Sequence, residues 1–277
     1  MSQADLGARL APGSERRLAS IDINVDAGES FGRWQVADER ALFAHVTSVN
    51  LACGFHAGDP AGLTASIELA LASGLALGAH PGYPDKVGFG RRAMQLSRAE
   101  LIADTIYQLG AVAALLAAVG TRCGQPARLH HVKAHGALYN QMLTDEAVAR
   151  AFAGGVHDYD ASLPVLVLAG RGGDLMRSVV EAAGLATVQE AFPDRGYLRD
   201  GTLAPRDLPG AVLVDAVAIA QRAVAMATGT PFAALDGGEA HVTAATLCLH
   251  GDGASAPAAA QAVRESLLRA GLSVTAW

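Results

Sequence analysis

The sequence predicts a (β/α) barrel of seven or eight parallel strands, on three observations. From residue 20 onward, short β-branched or apolar runs alternate with helix-period segments, a pattern that pairs strands in parallel through right-handed crossovers. No Pro/Gly/Ser-rich linker or composition shift divides the chain, so one domain over 20–277 is expected. Ionisable and amide side chains recur where the runs end. An open doubly wound sheet is the alternative architecture.

The clearer strands are expected at 21–25, 46–51, 75–79, 165–169, 186–189 and 243–249. A run at 129–132 holds His130 and His131 between apolar ends and is placed fourth, and 272–275 makes a last short strand. Helices are expected at 59–73, 97–119, 144–153, 173–183, 215–227 and 256–270. Ser97 followed by Glu100 reads as a capping box, and Asp59 before Pro60 as an N-cap. Gly120, Gly184 and Gly271 sit where helices should stop. Residues 1–19 lack the apolar core of a signal peptide and read as a flexible extension.

Composition excludes several partners. The net charge is −6, and no Lys/Arg block or basic stripe with interleaved aromatics offers a footprint for nucleic acid. The apolar stretches 65–79 and 211–227 are broken by Glu68, and by Asp215 and Arg222, so no membrane span is expected. Cys53, Cys123 and Cys248 lie far apart without a C-x-x-C. That is neither a disulfide framework nor a zinc cluster, and it points to a reducing compartment, the cytoplasm.

Polar residues gather at the strand ends: Asp26 and Glu29 after the first, Asn50 and His56 at the second, His80 at the third. Lys133 and His135 follow the fourth, Glu190 the sixth, and His250 and Asp252 the seventh. In parallel α/β architectures these ends converge on one rim, where chemistry is done. Any one of them alone would be an ordinary cap or turn residue; the repetition argues for a site. Gly82, Gly88 and Gly90 surround Tyr83 and the pair Arg91–Arg92, as ligand-facing loops require. Asp26, His56 and His80 could give a divalent metal two imidazoles and a carboxylate, although their spacing does not compel it. No phosphate loop, dinucleotide fingerprint, nucleophile elbow or H-E-x-x-H is present.

The stretches IDINVDAGESFGRW (21–34), SVNLACGFHAGDP (48–60), GAHPGYPDKVGFGRR (78–92), HVKAHGALYN (131–140), EAFPDRGYLRDGTLAPR (190–206) and LHGD (249–252) together resemble the LamB/YcsF family. One departure is Ala134, where the family pattern has proline; Lys133 and His135 keep their places. The resemblance implies a barrel similar to the glycoside hydrolase/deacetylase superfamily. It also implies ATP-dependent opening of the lactam 5-oxo-L-proline to L-glutamate, by a 5-oxoprolinase in which this chain acts with partner subunits B and C.

On that reading ATP is a co-substrate held mainly by the partners, because this chain has no phosphate loop. Asp26 or Glu29 would be the base for water. Lys133 with His135 or His80 would stabilise the oxyanion or phosphate. Arg91 or Arg92 would hold a carboxylate or phosphate bidentately. Asn50, His56, Asn140 and His250 would orient water and ring, with Tyr83, Glu190, Arg195 and Asp252 completing the substrate site. Two rival readings are a metal-dependent amide hydrolase or deacetylase without ATP and a non-catalytic protein that binds the substrate for its partners.

Overall fold

In a computed structural model the described residues are 20–251, 253 and 255–277. The expected extension at 1–19 and Asp252 lie outside them. The first strand, β1 (Ser20–Ala27), is buried along most of its length and alternates Ile21, Ile23 and Val25 with Asp22, Asn24 and Asp26. A strand walled on both faces must bury both sets of side chains. The apolar set faces the surrounding helices, and the polar set points into the barrel.

The chain continues through α1 (Glu39–Phe43), β2 (Ser48–Ala52), α2 (Pro60–Ala72), β3 (Ala76–His80) and α3 (Arg98–Arg122). Then come α4 (Gly136–Met142), α5 (Glu146–Asp160), β4 (Val165–Leu168), α6 (Asp174–Ala182), β5 (Thr187–Ala191) and α7 (Ala216–Thr228). A two-residue-per-strand hairpin, β6 (Phe232–Ala233) with β7 (Glu239–Ala240), precedes β8 (Thr246–Leu249), α8 (Ala256–Arg269) and β9 (Ser273–Val274). The strand order is β3-β2-β1-β8-β5-β4, all parallel, with β9 paired to the start of β1.

The run expected as the fourth strand closes the ring. Val132 makes parallel bridges to Ala79 on one side and Val165 on the other. Lys133 N–H donates to the Ala79 carbonyl and Leu166 N–H to the Val132 carbonyl, both at 2.9 Å. Six strands and this bridge make seven ring positions, which removes the open-sheet alternative. Packing there is tight: a Cβ on Gly78 would lie 2.1 Å from the His131 imidazole. Glycine is therefore what admits that ring to the barrel interior.

Several local expectations shift. His80 and Glu190 are the last and penultimate residues of their strands rather than lying beyond them. The capping box at Ser97 and Glu100 is present, but α3 runs past Gly120 to Arg122. Gly120 is inside the helix because the returning chain crosses it, with the Gln125 carbonyl 2.6 Å from where a Cβ would be. The helix expected at 144–153 extends to Asp160. α1, α4 and the hairpin are too short for their periodicity to register. α3 is long and apolar enough to cross a membrane by length and composition. It packs along α5 and buries Leu101, Leu109, Val112, Leu116 and Val119, as a wall helix of a barrel does.

Candidate functional site

The inward-facing polar residues form two layers. The deeper layer centres on Asp22, whose carboxylate accepts from Ser48 Oγ at 2.8 Å and from the Thr47 and Thr246 hydroxyls. Asn24 Nδ2 donates to Thr246 Oγ1 at 2.7 Å, and Asn50 Nδ2 donates to Asn24 Oδ1 at 2.8 Å. His131 Nε2 donates to Asn50 Oδ1 at 2.7 Å. Burial, then His130 and Lys133, holds His131 well below the usual imidazole range, so it is neutral. Barrel interiors are ordinarily filled by branched apolar side chains; this deeper layer is a hydrogen-bonded network instead.

The upper layer stands at the C-terminal rim. Lys133, 3% exposed, lies 3.2 Å from Asp26 Oδ1, 2.9 Å from Glu190 Oε1 and 3.0 Å from Cys248 Sγ. Burial alone would lower its ammonium, but Asp26, Cys248 and Glu190 outweigh that and hold it well above the ordinary lysine value. Burial would raise Asp26, but His80 and Lys133 hold its carboxyl well below the carboxylate range. Burial pushes Glu190 up, against the pull of Lys133.

Around Asp26 the tautomers follow from the backbone. His80 Nδ1 must donate to the Lys133 carbonyl at 2.8 Å, and His135 Nε2 to the Phe89 carbonyl at 2.8 Å. In the neutral rings, the remaining nitrogens carry lone pairs. These face each other at 3.0 Å, with Asp26 Oδ2 3.2 Å from His80 Nε2 and Glu29 Oε1 3.5 Å from His135 Nδ1. Burial, then His80, pushes His135 down to about 3. Ligand atoms of four side chains thus converge on one point, where a proton on His80 Nε2 or a cation would satisfy them. One ligand atom from each lies within 4.8 Å of the others, and two imidazoles with two carboxylates suit a divalent metal.

His56 is not part of that group, contrary to the triad expected from sequence. It stacks on His135 at 3.7 Å and sends Nε2 to Glu29 Oε1 at 3.3 Å, so Glu29 and His135 take its place beside Asp26 and His80. Gly90, at φ +63°, lets the loop close over both rings; a Cβ there would sit 2.6 Å from His56 Cβ.

A small pocket of about 80 Å³ opens above these residues. Asp26, His80, Lys133, His135, Asn140, Arg91, Arg195 and His250 line it, which gathers eight of the residues singled out from sequence. Others are not brought in. Arg92 is tied to Asp85, donating from Nε to Oδ2 at 2.9 Å. Tyr83 is buried and faces a separate cavity with Met94 and Asp145. Asn50 lies one layer beneath, where it also donates to Asp26 Oδ1 at 2.9 Å. Glu190 is in the floor, fully buried. Cys53 is buried, and burial raises its thiol to about 12.

Sequence reading missed Arg206, Asp194, Tyr139 and Cys248. Arg206 and Tyr139 line the pocket, and Asp194 Oδ2 holds His250 Nδ1 at 2.6 Å. Cys248 and the deeper Asn24 carried a usable signal, since each is a polar or small residue at every second position of an otherwise apolar strand. Arg206 and Asp194 sit in irregular chain, where no period marks them.

The sequence profile of the LamB/YcsF family matches residues 21–277. A Thermus thermophilus protein named as the A subunit of 5-oxoprolinase is 49% identical over 257 residues, 93% of this chain and 99% of that one. A Heliobacterium modesticaldum protein of the same name is 47% identical over 256 residues, 92% of this chain and 97% of that one. The crystal structure of a "Lactam Utilization Protein" from Thermus thermophilus superposes with a TM-score of 0.85 at 48% identity, covering 93% of this chain and 100% of that chain. The matched span takes in every strand end that builds the rim, and on profile, relatives and fold together this chain belongs to the LamB/YcsF family.

Proposed function

We propose that this chain is the lactam-opening component of an ATP-dependent 5-oxoprolinase of the cytoplasm, working with partner subunits B and C to convert 5-oxo-L-proline to L-glutamate. The observation that carries the reading is one pocket with convergent acceptors on one arc and Lys133 with guanidinium groups on the rest. The names of the relatives support the substrate.

A lactam is a stable amide, so its carbonyl must be activated before water can open it. Phosphoryl transfer from ATP to the lactam oxygen releases ADP and turns that oxygen into a leaving group. Water then adds to the carbonyl carbon. The Asp26–His80 pair takes its proton, which comes to rest on His80 Nε2 facing the Asp26 and Glu29 carboxylates. Lys133 stabilises the negative oxygens at the same carbon. Return of that proton from His80 to the ring nitrogen breaks the C–N bond and gives an acyl phosphate, and a second water releases phosphate and L-glutamate. ATP binds mainly to the partner subunits.

A second reading, an amide hydrolase using a bound divalent metal without ATP, is favoured by the four converging acceptors. Asp26, Glu29, His80 and His135 would hold the ion, which would polarise the carbonyl and acidify water. The test is glutamate release from 5-oxoproline by the purified chain, with and without ATP and subunits B and C. It is paired with the metal content of wild type and His135→Gln. Glutamate appearing only with ATP and all three subunits upholds the first reading. ATP-independent turnover that tracks a stoichiometric metal lost in His135→Gln would replace it with the second.

A further inference from the structure

We propose that Arg206 is the residue that grips the ring carboxylate of the substrate, and that His250 and Asp194 position it. This deepens the lactam reading and rests on it. Arg206 Nη2 donates to His250 Nε2 at 2.6 Å, while His250 Nδ1 donates to Asp194 Oδ2 at 2.6 Å. The carboxylate fixes the tautomer, so the imidazole presents a lone pair to the guanidinium rather than a competing N–H. Asp194 also accepts from the His250 backbone N–H at 3.1 Å, which holds the ring's own attachment in register.

The other cations of the pocket are engaged elsewhere. Lys133 serves Asp26 and Glu190. Arg195 donates to the Ala211 and Ala204 carbonyls at 3.2 and 2.8 Å. It thereby ties down both ends of the segment that carries Arg206. Arg91 lies over the Phe89 ring at 5.1 Å, beside the carbonyl that fixes His135. Arg206 meets a ring nitrogen rather than a carboxylate and lines the pocket with a planar fork that matches a carboxylate.

The placement also suits the ligand class. Asp26, His80 and His135 come from the β1, β3 and Val132 positions of the ring, whereas Asp194 and His250 follow β5 and β8. A five-membered lactam carries its carbonyl and its carboxylate on the two carbons flanking nitrogen. With the carbonyl at the acceptor arc, the carboxylate turns to the other arc. The ligand class is therefore a small cyclic amide with a carboxylate next to the ring nitrogen.

The test compares 5-oxoproline with 2-pyrrolidinone, the same ring without the carboxylate, by calorimetric binding to the chain and by KM and kcat in the enzyme reconstituted with its partners. Arg206→Ala should weaken 5-oxoproline about 10- to 100-fold in Kd and KM and leave 2-pyrrolidinone unchanged. Arg206→Lys should recover part of the loss, and Asp194→Asn should show a smaller loss with the same selectivity. Equal losses on both lactams, or none on either, would overturn the clamp while leaving the lactam reading standing. Failure of the wild-type chain and enzyme to bind or turn over either lactam would overturn both.

Discussion

The two polar layers of this barrel are made of the same kinds of residue, yet only one of them is complete. In the deeper layer, donors and acceptors match: Asn50 uses both amide hydrogens, on Asn24 and Asp26, and its oxygen takes the His131 proton. In the rim layer they do not. Four ligand atoms face each other around His80 and His135, and Arg206 meets a ring nitrogen of His250 rather than a carboxylate. His56 Nδ1 and Asp194 Oδ1 are buried without a partner among the described residues. Polar groups buried for stability are satisfied within the fold, because leaving one unmade costs about 1–3 kcal/mol. An imbalance concentrated at the strand C-termini marks the part of the barrel shaped for something that arrives from outside.

Substitutions should separate the layers. The largest effect belongs to Lys133→Met, because Lys133 joins them through Asn24 Oδ1 at 3.4 Å and the rim carboxylates. Removing it strands Asp26 and Glu190 without their cation. It should abolish turnover and lower unfolding free energy by about 3–5 kcal/mol in a urea titration. A variant as stable as wild type would mean the rim carboxylates are not held by this charge.

Asn50→Ala should come next, costing about 1–3 kcal/mol in the same titration, since it leaves Asn24, Asp26 and His131 each short of a partner. A loss of activity without a loss of stability would move Asn50 into the site and blur the division. The smallest effect is pH-dependent. His131 is neutral when folded and takes a proton when unfolded below about pH 6.5, so the unfolded state binds more protons there. Stability should therefore rise with pH up to that point and fall on acidification, this group contributing about 1.4 kcal/mol per pH unit. His131→Gln, which keeps a donor for Asn50, should flatten the stability–pH curve by about one proton between roughly pH 5 and 6.5. An unchanged curve would show that His131 is not buried neutral.

Much of this was legible in the sequence because it depends on periods and chain order. Alternating strands and helices gave the parallel ring, and strand ends gave Asp26, His80, Lys133, His135 and His250. The fourth strand was correctly sited at 129–132, although it shrinks to the Val132 bridge. What stayed hidden depends on which groups share a hydrogen bond. Nothing in chain order says that the Lys133 and Phe89 carbonyls fix the two histidine tautomers, or that His56 stacks behind His135 instead of joining Asp26. Arg92 and Arg91 are neighbours in sequence, yet one is held by Asp85 while the other lines the pocket. Arg206 lies in irregular chain and shows itself only in the fold, through its bond to His250 and its place in the pocket lining.

The most direct test of the division is Asp26→Asn, read in two ways on one preparation. Turnover of 5-oxoproline to glutamate by the reconstituted enzyme should fall at least about 10²-fold, since on the proposed mechanism the proton acceptor for water is lost. The urea midpoint should fall by less than in Lys133→Met, because the amide keeps the shape and Glu190 still faces the Lys133 ammonium at 2.9 Å. Near-normal turnover in a folded variant, or a collapse in stability with turnover per folded chain preserved, would contradict the assignment of the rim as the site of chemistry.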